Sequence, residues 1–309
     1  MKRNCNDKVF AAIDIGSNAV RLLIKELVGH DPSGRPELKK LLLLRVPLRL
    51  GGDVFARGRI GGGKARDLRR LMKVYRQLMK IFDVDYYRAC ATSAMRDAAN
   101  GKELISKVEK SCGIHIEIID GGEEAEIVLS NRLECGITDS GTYLFVDVGG
   151  GSTELNLLAA GKLVYSISFN IGTVRSLAGK VQDSECGRFR IFLKKLHVEY
   201  PEVEIIGSGG NINKLYRLAK VKDEKTKTFP VDELRRLYEE LSQMDLQERM
   251  EKFDLKPDRA DVIIPAARIF LTVSDETCAR KIRVPVMGVA DGIIDSIVER
   301  YSSICQPMT

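Results

Sequence analysis

The sequence predicts an α/β protein of two similar lobes, and two stretches carry that prediction. Tyr143 to Leu155 reads YLFVDVGGGSTEL: an apolar strand interrupted only by Asp147, then three glycines, two hydroxyls, and Glu154 at the start of the next apolar run. Val9 to Leu27 repeats the pattern, with Asp14 in the place of Asp147, Gly16 in that of Gly149 and Leu22 in that of Leu155. A repeat of this kind points to internal duplication. The third observation is size: 309 residues with 44% hydrophobic content suffice for two domains with sizeable cores.

A carboxylate inside so apolar a run is costly unless something pairs with it. Glycines let backbone N–H groups approach a ligand with no Cβ in the way. A strand, a glycine turn and a second strand place Asp147 and Glu154 beside one tight loop. Such a loop suits phosphate oxygens together with a hard cation.

In chain order, Val9–Ile15 is a buried strand, Gly16, Ser17 and Asn18 form a phosphate-sized turn, and Val20–Leu27 is the return strand. His30–Pro36 (HDPSGRP) is a turn-rich loop. Leu38–Leu50 is a further apolar run, and the glycine-rich segment Gly51–Gly63 is expected to be a loop. Lys64–Phe82 is an amphipathic helix, with Leu68, Leu71, Met72, Tyr75, Leu78, Met79 and Phe82 recurring at three and four residues. Its other face, from Lys64 to Lys80, is basic. That face reads as a solvated surface or, more sharply, as a track for a polyanion.

Tyr86–Ala91 is a short strand that passes at Thr92, Ser93 and Arg96 into a helix. Free N–H groups at a helix start favour anions, and Arg96 adds a forked pair of donors. The plainer reading makes Thr92 or Ser93 an N-cap. Glu103–Cys112 is helical, Ile114–Ile119 a strand, and Asp120-Gly121-Gly122 opens a helix with Glu123, Glu124 and Glu126 at its start, where the helix dipole favours them.

Leu163–Phe169 is a strand, a helix starts within Asn170–Arg175, and Glu185–Tyr200 is helical. Val203–Ile206 is a strand running into a third glycine turn, Gly207, Ser208, Gly209, Gly210 and Asn211, ahead of a helix at Ile212–Leu218. Lys220–Phe229 reads as a polar surface loop, and Val231–Leu241 and Leu246–Phe253 as helices. Arg259–Val273 is a long apolar helix in which Pro265 is placed to cause a kink. Arg283–Val289 is the last strand and Ala290–Tyr301 the closing helix.

The totals exclude several classes. Lys plus Arg number 49 against 43 Asp plus Glu, a surplus of +6 that fits an anionic partner without requiring one. Cys5, Cys90, Cys112, Cys135, Cys186, Cys278 and Cys305 contain no C-x-x-C pair and are odd in number, so reduced, mostly buried thiols are expected. The opening MKRNCNDKVF lacks a long apolar segment, and no run approaches ~18 apolar residues. Neither a secretory signal nor a membrane span is expected, and the cytoplasm is the expected compartment.

DIGSNAVRLLI, ATSAMRDAAN, the GGEEA turn, FVDVGGGSTEL, NIGTVRSL, GSGGN and RADVIIPAARI stand in the order found in the exopolyphosphatase/guanosine pentaphosphate phosphohydrolase (Ppx/GppA) family. The chain resembles that family from Val9 to Tyr301. The resemblance implies an actin-like ATPase fold in a short, two-domain form. Its lobes would span 1–126 and 127–309, each with a mixed five-stranded sheet flanked by helices and an active cleft between them. The closing helix, 290–303, is expected to pack back on the first lobe.

The resemblance also assigns roles. Glu124 would be the catalytic base, and Asp147 and Glu154 would hold Mg²⁺. Asp14, Gly16, Ser17, Asn18, Arg96, Gly149, Gly150, Gly151, Ser152, Thr153, Gly207, Ser208, Gly209 and Gly210 would contact phosphate. The sequence departs from the family's pattern at Ala19, where a serine is usual. It departs again at Gly52-Asp53, in place of Glu-Gly, and at Ala290-Asp291, in place of Arg-Glu.

The expected activity is Mg²⁺-dependent release of terminal orthophosphate from inorganic polyphosphate, with guanosine pentaphosphate as the alternative substrate. A kinase of the same fold and a non-catalytic phosphate-ligand regulator are the readings from other classes. No nucleic-acid polymer and no membrane are expected as partners, and a homodimer is compatible with the sequence.

Overall fold

β1 (Val9–Ile15) is buried at every position and must therefore be an inner strand. β2 (Val20–His30) and β3 (Pro36–Val46) continue it as an antiparallel meander. α1 (Leu50–Arg57) and α2 (Gly62–Ile81) follow, and β4 (Tyr86–Ala91) returns parallel to β1. α3 (Ser93–Asp97), α4 (Gly101–Cys112) and the parallel β5 (Glu117–Ile118) complete a sheet of order β3-β2-β1-β4-β5. The computed structural model describes residues 8–305 except 33, 131–136, 139, 286 and 287.

The same order recurs further along the chain. After α5 (Gly121–Ser130), the strands β6 (Thr142–Val148), β7 (Thr153–Ala159) and β8 (Lys162–Phe169) form an antiparallel meander. α6 (Thr173–Leu177) and α7 (Asp183–Glu199) lead to β9 (Glu204–Ser208), parallel to β6. α8 (Gly210–Leu218), β10 (Thr228–Pro230), α9 (Val231–Ser242), α10 (Leu246–Phe253), α11 (Pro257–Ala260) and α12 (Ile263–Glu276) precede β11 (Lys281–Arg283), parallel to β9. The sheet runs β10-β11-β9-β6-β7-β8. Five of its strands, β8-β7-β6-β9-β11, repeat the order of the first sheet, and β10 adds a sixth beyond β11, where five were expected.

α13 (Val289–Cys305) ends the described chain. Two compact units result, one of Met1–Asp120 with Val289–Thr309 and one of Gly121–Gly288. In the first, α13 packs on β1, β2 and β4, where the Tyr301, Phe10 and Tyr86 rings meet at 5.3–5.8 Å. In the second, the core joins β6, β7, β9 and β11 to α7, α8, α9 and α12. The α/β class and the duplicated hairpin are as expected. Asp14 pairs with Arg21 in β1–β2 and Asp147 with Glu154 in β6–β7, the same register in both copies.

Four local expectations are corrected. Gly51–Gly63 is not a loop, because it holds α1 and the start of α2. Leu50, Val54 and Phe55 give α1 a buried face, and Gly58 ends it at φ 72°. Lys220–Phe229 is not wholly a surface loop, because Phe229 is buried within β10. Pro265 causes no kink: it is the third residue of α12, where its missing N–H has no intrahelical acceptor to lose. β11 occupies Lys281–Arg283 rather than starting at Arg283; of the expected Arg283–Val289, residues 286 and 287 lie outside the described residues and Val289 opens a helix.

The cysteines are less buried than expected. Among those described, Cys90 is buried and Cys112 half-buried, but Cys186 and Cys278 are exposed, and none is in a disulfide. No helix among the described residues is long and apolar enough to cross a membrane.

The first turn of α9 is anchored by Glu233. Its buried carboxylate accepts Nε and Nη2 of Arg236 at 2.8 Å and the Lys220 N–H at 2.6 Å. The Arg236 bonds outweigh desolvation and hold this carboxyl down at about 2, against an ordinary 4.5. With the folded value below the unfolded one, the stabilisation is full above about pH 4.5 and is lost as pH falls toward 2. Glu233→Gln should cost about 1–3 kcal/mol at pH 7. In urea unfolding, the gap between variant and parent should shrink on going from pH 7 to pH 3.

Candidate active site

One polar row crosses the second sheet. Asp147 of β6 lies opposite Glu154 of β7 and beside Ser208 of β9, and Glu154 lies opposite Ser168 of β8. Residues paired across strands share a face. Asp147 and Glu154 are 6% and 1% exposed, so two carboxylates meet in a desolvated place. Ser168 Oγ donates to Glu154 Oε1 at 3.0 Å. The buried Ser208 hydroxyl has no hydrogen-bond partner among the described residues.

Gly209, at φ 95°, brings the third glycine turn against this row. A Cβ there would stand 2.7 Å from Asp147 Oδ1. The arrangement packs backbone against a carboxylate at a place where only glycine fits.

The Gly149–Ser152 turn closes with Gly149 N donating to Ser152 O at 3.0 Å. The carbonyls of its three glycines are engaged by the start of α6. Gly149 O accepts the Thr173 N–H, Gly150 O those of Val174 and Arg175, and Gly151 O the Arg175 Nε at 2.7 Å. The N–H groups of Gly150, Gly151 and Ser152 donate to no described residue, the polarity that suits an anion. Thr153, by contrast, spends its buried hydroxyl on Ile171 O at 2.5 Å.

Glu124 sits in the first turns of α5 and is buried, whereas Glu123 is half-exposed and Glu126 exposed. α5 packs on β7 and β8, the strands that carry Glu154 and Ser168. Asn156 Nδ2 donates to Ala125 O at 3.0 Å. A Cβ on Gly121 would fall 2.5 Å from Ser168 Cβ, so the helix start is seated directly on that serine.

The first unit presents the related turn differently. Arg21 Nη1 binds Asp14 Oδ2 at 2.6 Å. Gly16 N donates to Ala19 O, and the buried Ser17 and Ser93 hydroxyls bond at 2.8 Å. α1 holds this turn from outside: Gly51 N donates to Ser17 O and Arg49 N to Asn18 O. Arg96 Nη1 donates to Ile119 O at 2.8 Å.

Residues 27–301 match the Ppx/GppA phosphatase family. The chain belongs to that family. It is 34% identical to Exopolyphosphatase 2 of Mycobacterium tuberculosis over 171 residues, 53% of this chain and 52% of that protein. It is 25% identical to the guanosine-5'-triphosphate,3'-diphosphate pyrophosphatase of Aeromonas hydrophila over 74% of this chain and 48% of that one. These matches thus span about half the length of either relative. A crystal structure of the Aquifex aeolicus Ppx/GppA family member superposes with a TM-score of 0.73 at 26% identity, covering 96% of this chain and 99% of that one.

Within the family pattern, the departures have structural partners. Asp53 accepts the Gly61 N–H at 2.9 Å and pairs with Lys64 at 2.9 Å. Burial pushes its carboxyl up, but the bonds to Lys64 and Gly61 more than offset this and hold it below the ordinary range. Asp291 pairs with the buried Lys25 at 2.9 Å. Ala19 is buried and supplies the carbonyl that closes the first turn.

The sequence reading missed Ser168, Asn156 and Gly172. The first two show only as polar residues alternating with apolar ones along a strand. Gly172 lies in NIGTVR, whose role comes from contact: its Cβ would fall 2.4–2.5 Å from the Gly151 and Ser152 backbone. Gly172→Ala should displace the turn at 149–152, costing about 1–3 kcal/mol in denaturant unfolding.

Proposed function

We propose that this protein is a phosphohydrolase that releases terminal orthophosphate from inorganic polyphosphate by in-line attack of water. One observation carries the reading: a desolvated Asp147–Glu154 pair stands beside an anion-suited turn, with the helix of buried Glu124 packed on the same strands. Exopolyphosphatase 2 of M. tuberculosis, by its name, supports the substrate class.

No group of three or more His, Cys, Asp or Glu side chains able to hold a metal occurs among the described residues. Mg²⁺ needs no such group, since it keeps several waters and takes one or two carboxylates plus substrate phosphate. An all-oxygen pair of opposed, buried carboxylates fits it, and Asp147 and Glu154 would hold it. Bound there, Mg²⁺ supplies neutralisation of the charge on the phosphate oxygens.

Glu124 acts as the base. It accepts a proton from the attacking water as the new P–O bond forms and the bridging P–O bond breaks, leaving a polyphosphate shorter by one unit. The N–H groups of Gly150, Gly151 and Ser152, with the Ser208 hydroxyl, orient the phosphate. In the first unit, taken by itself, Asp14, Gly16–Asn18 and Arg96 are proposed as phosphate contacts from the family resemblance alone. Guanosine pentaphosphate is the alternative substrate, a reading that the pyrophosphatase relative of A. hydrophila supports by its name.

Glu124→Gln should lower Mg²⁺-dependent orthophosphate release by about 10²- to 10⁴-fold, with unchanged thermal unfolding and polyphosphate binding. Turnover equal to the parent's on both polyphosphate and guanosine pentaphosphate would remove Glu124 from the mechanism. Asp147→Asn should abolish the response to added Mg²⁺ while leaving the protein folded, as read by far-UV circular dichroism.

A further inference from the structure

We propose that Ser168 is a positioning residue that couples the metal-site carboxylate to the catalytic helix, a role that rests on the function proposed above. Two contacts meet on this one half-buried side chain. Its Oγ donates to Glu154 Oε1 at 3.0 Å, fixing which way that carboxylate turns. Its Cβ and Oγ form the seat of Gly121, where an added methyl would stand 2.5 and 2.8 Å from them. Gly121 opens α5, and Glu124 lies three residues on.

Asn156 supplies a second point of attachment, two residues beyond Glu154 on β7. Fully buried, it donates to Ala125 O at 3.0 Å. The first turn of α5 is therefore held at both ends of a short span, by Ser168 at Gly121 and by Asn156 at Ala125. Strand and helix register are locked together, so the base and the acidic row keep one spacing. Groups that orient a metal ligand without touching the metal typically change affinity or activity by about 10- to 100-fold when removed.

The two contacts separate by mutation. Ser168→Ala removes the hydroxyl but keeps the seat. It should lower kcat about 10- to 100-fold with KM within about twofold, and leave hydrogen exchange of the α5 amides unchanged. Gly121→Ala forces a methyl into the seat. It should speed exchange at the start of α5 and lower kcat by about 100-fold, the scale of a misplaced catalytic group. Adding Ser168→Gly to Gly121→Ala vacates the seat, so α5 exchange should return to the parent's and kcat should rise to the Ser168→Ala level.

A Ser168→Ala kcat within about twofold of the parent's, or no recovery in the double variant, would overturn the proposal. Glu124→Gln and Glu154→Gln are run alongside on the same substrates. If both retain full phosphate release, the catalytic reading itself fails and the coupling with it. If both lose release while Ser168→Ala does not, the coupling alone fails.

Discussion

Two carboxylates opposed across adjacent strands, out of water, set the terms for the second unit. Each ion so placed carries a desolvation penalty on the order of several kcal/mol, and like charges directly opposite add to it. Asp147 and Glu154 sit beside the hairpin turn on the sheet face of Tyr143, Phe145, Leu158 and Ile206, opposite the face that gives Leu144, Val146, Leu155 and Leu157 to the larger core. A fold does not keep such a pair for stability. Under the proposed function the pair is kept to meet a cation or a developing charge. The surrounding features fit that reading: backbone pressed against Asp147 at Gly209, a hydroxyl on Glu154, and a turn whose glycine carbonyls are drawn away by α6.

The duplicated copy shows how little must change to alter that character. Asp14 and Arg21 occupy the register positions of Asp147 and Glu154, and there the acid meets a guanidinium at 2.6 Å. That pair is neutral within itself and asks for no metal. The guanidinium, about a third exposed, keeps donors for an outside anion. One scaffold thus yields an acidic row suited to a cation and a paired row suited to an anion. The difference lies in one residue of the return strand.

Much of this was legible in the sequence because it rests on local pattern. An apolar strand broken by one acid, followed by glycines, announces a buried carboxylate at a tight turn, and the repeat of that pattern announces the duplication. The inner strands and the amphipathic α2 follow from periodicity alone. Where the sequence misled, composition concealed pattern. The glycines from Gly51 to Gly63 suggested a loop, but Leu50, Val54 and Phe55 define a buried helical face, and Gly51 is small because it rests on Ser17. Pro265 suggested a kink, but its effect depends on its distance from a helix start that the apolar run does not mark. Ser168, Asn156 and Gly172 were invisible for a different reason. Their importance lies in partners 14 to 47 residues away, and no local pattern encodes those.

Asp53 and Asp291 bear on how departures from a family pattern should be weighed. Asp53 introduces an acid where the pattern has glycine, Asp291 keeps one where it has glutamate, and both acids are consumed at home. Asp53 ties the end of the α1–α2 connection to Lys64, and Lys64 Nζ also donates to the carbonyl of Arg49, a residue held at φ 52°. Such left-handed non-glycine residues persist only where their surroundings over-determine them. The Asp53–Lys64–Arg49 chain does so, and the Arg49 N–H in turn holds Asn18 O of the first turn. The departure at Gly52-Asp53 is therefore connected to the Gly16–Asn18 turn through structure rather than through chemistry. Its consequence is to stiffen that turn.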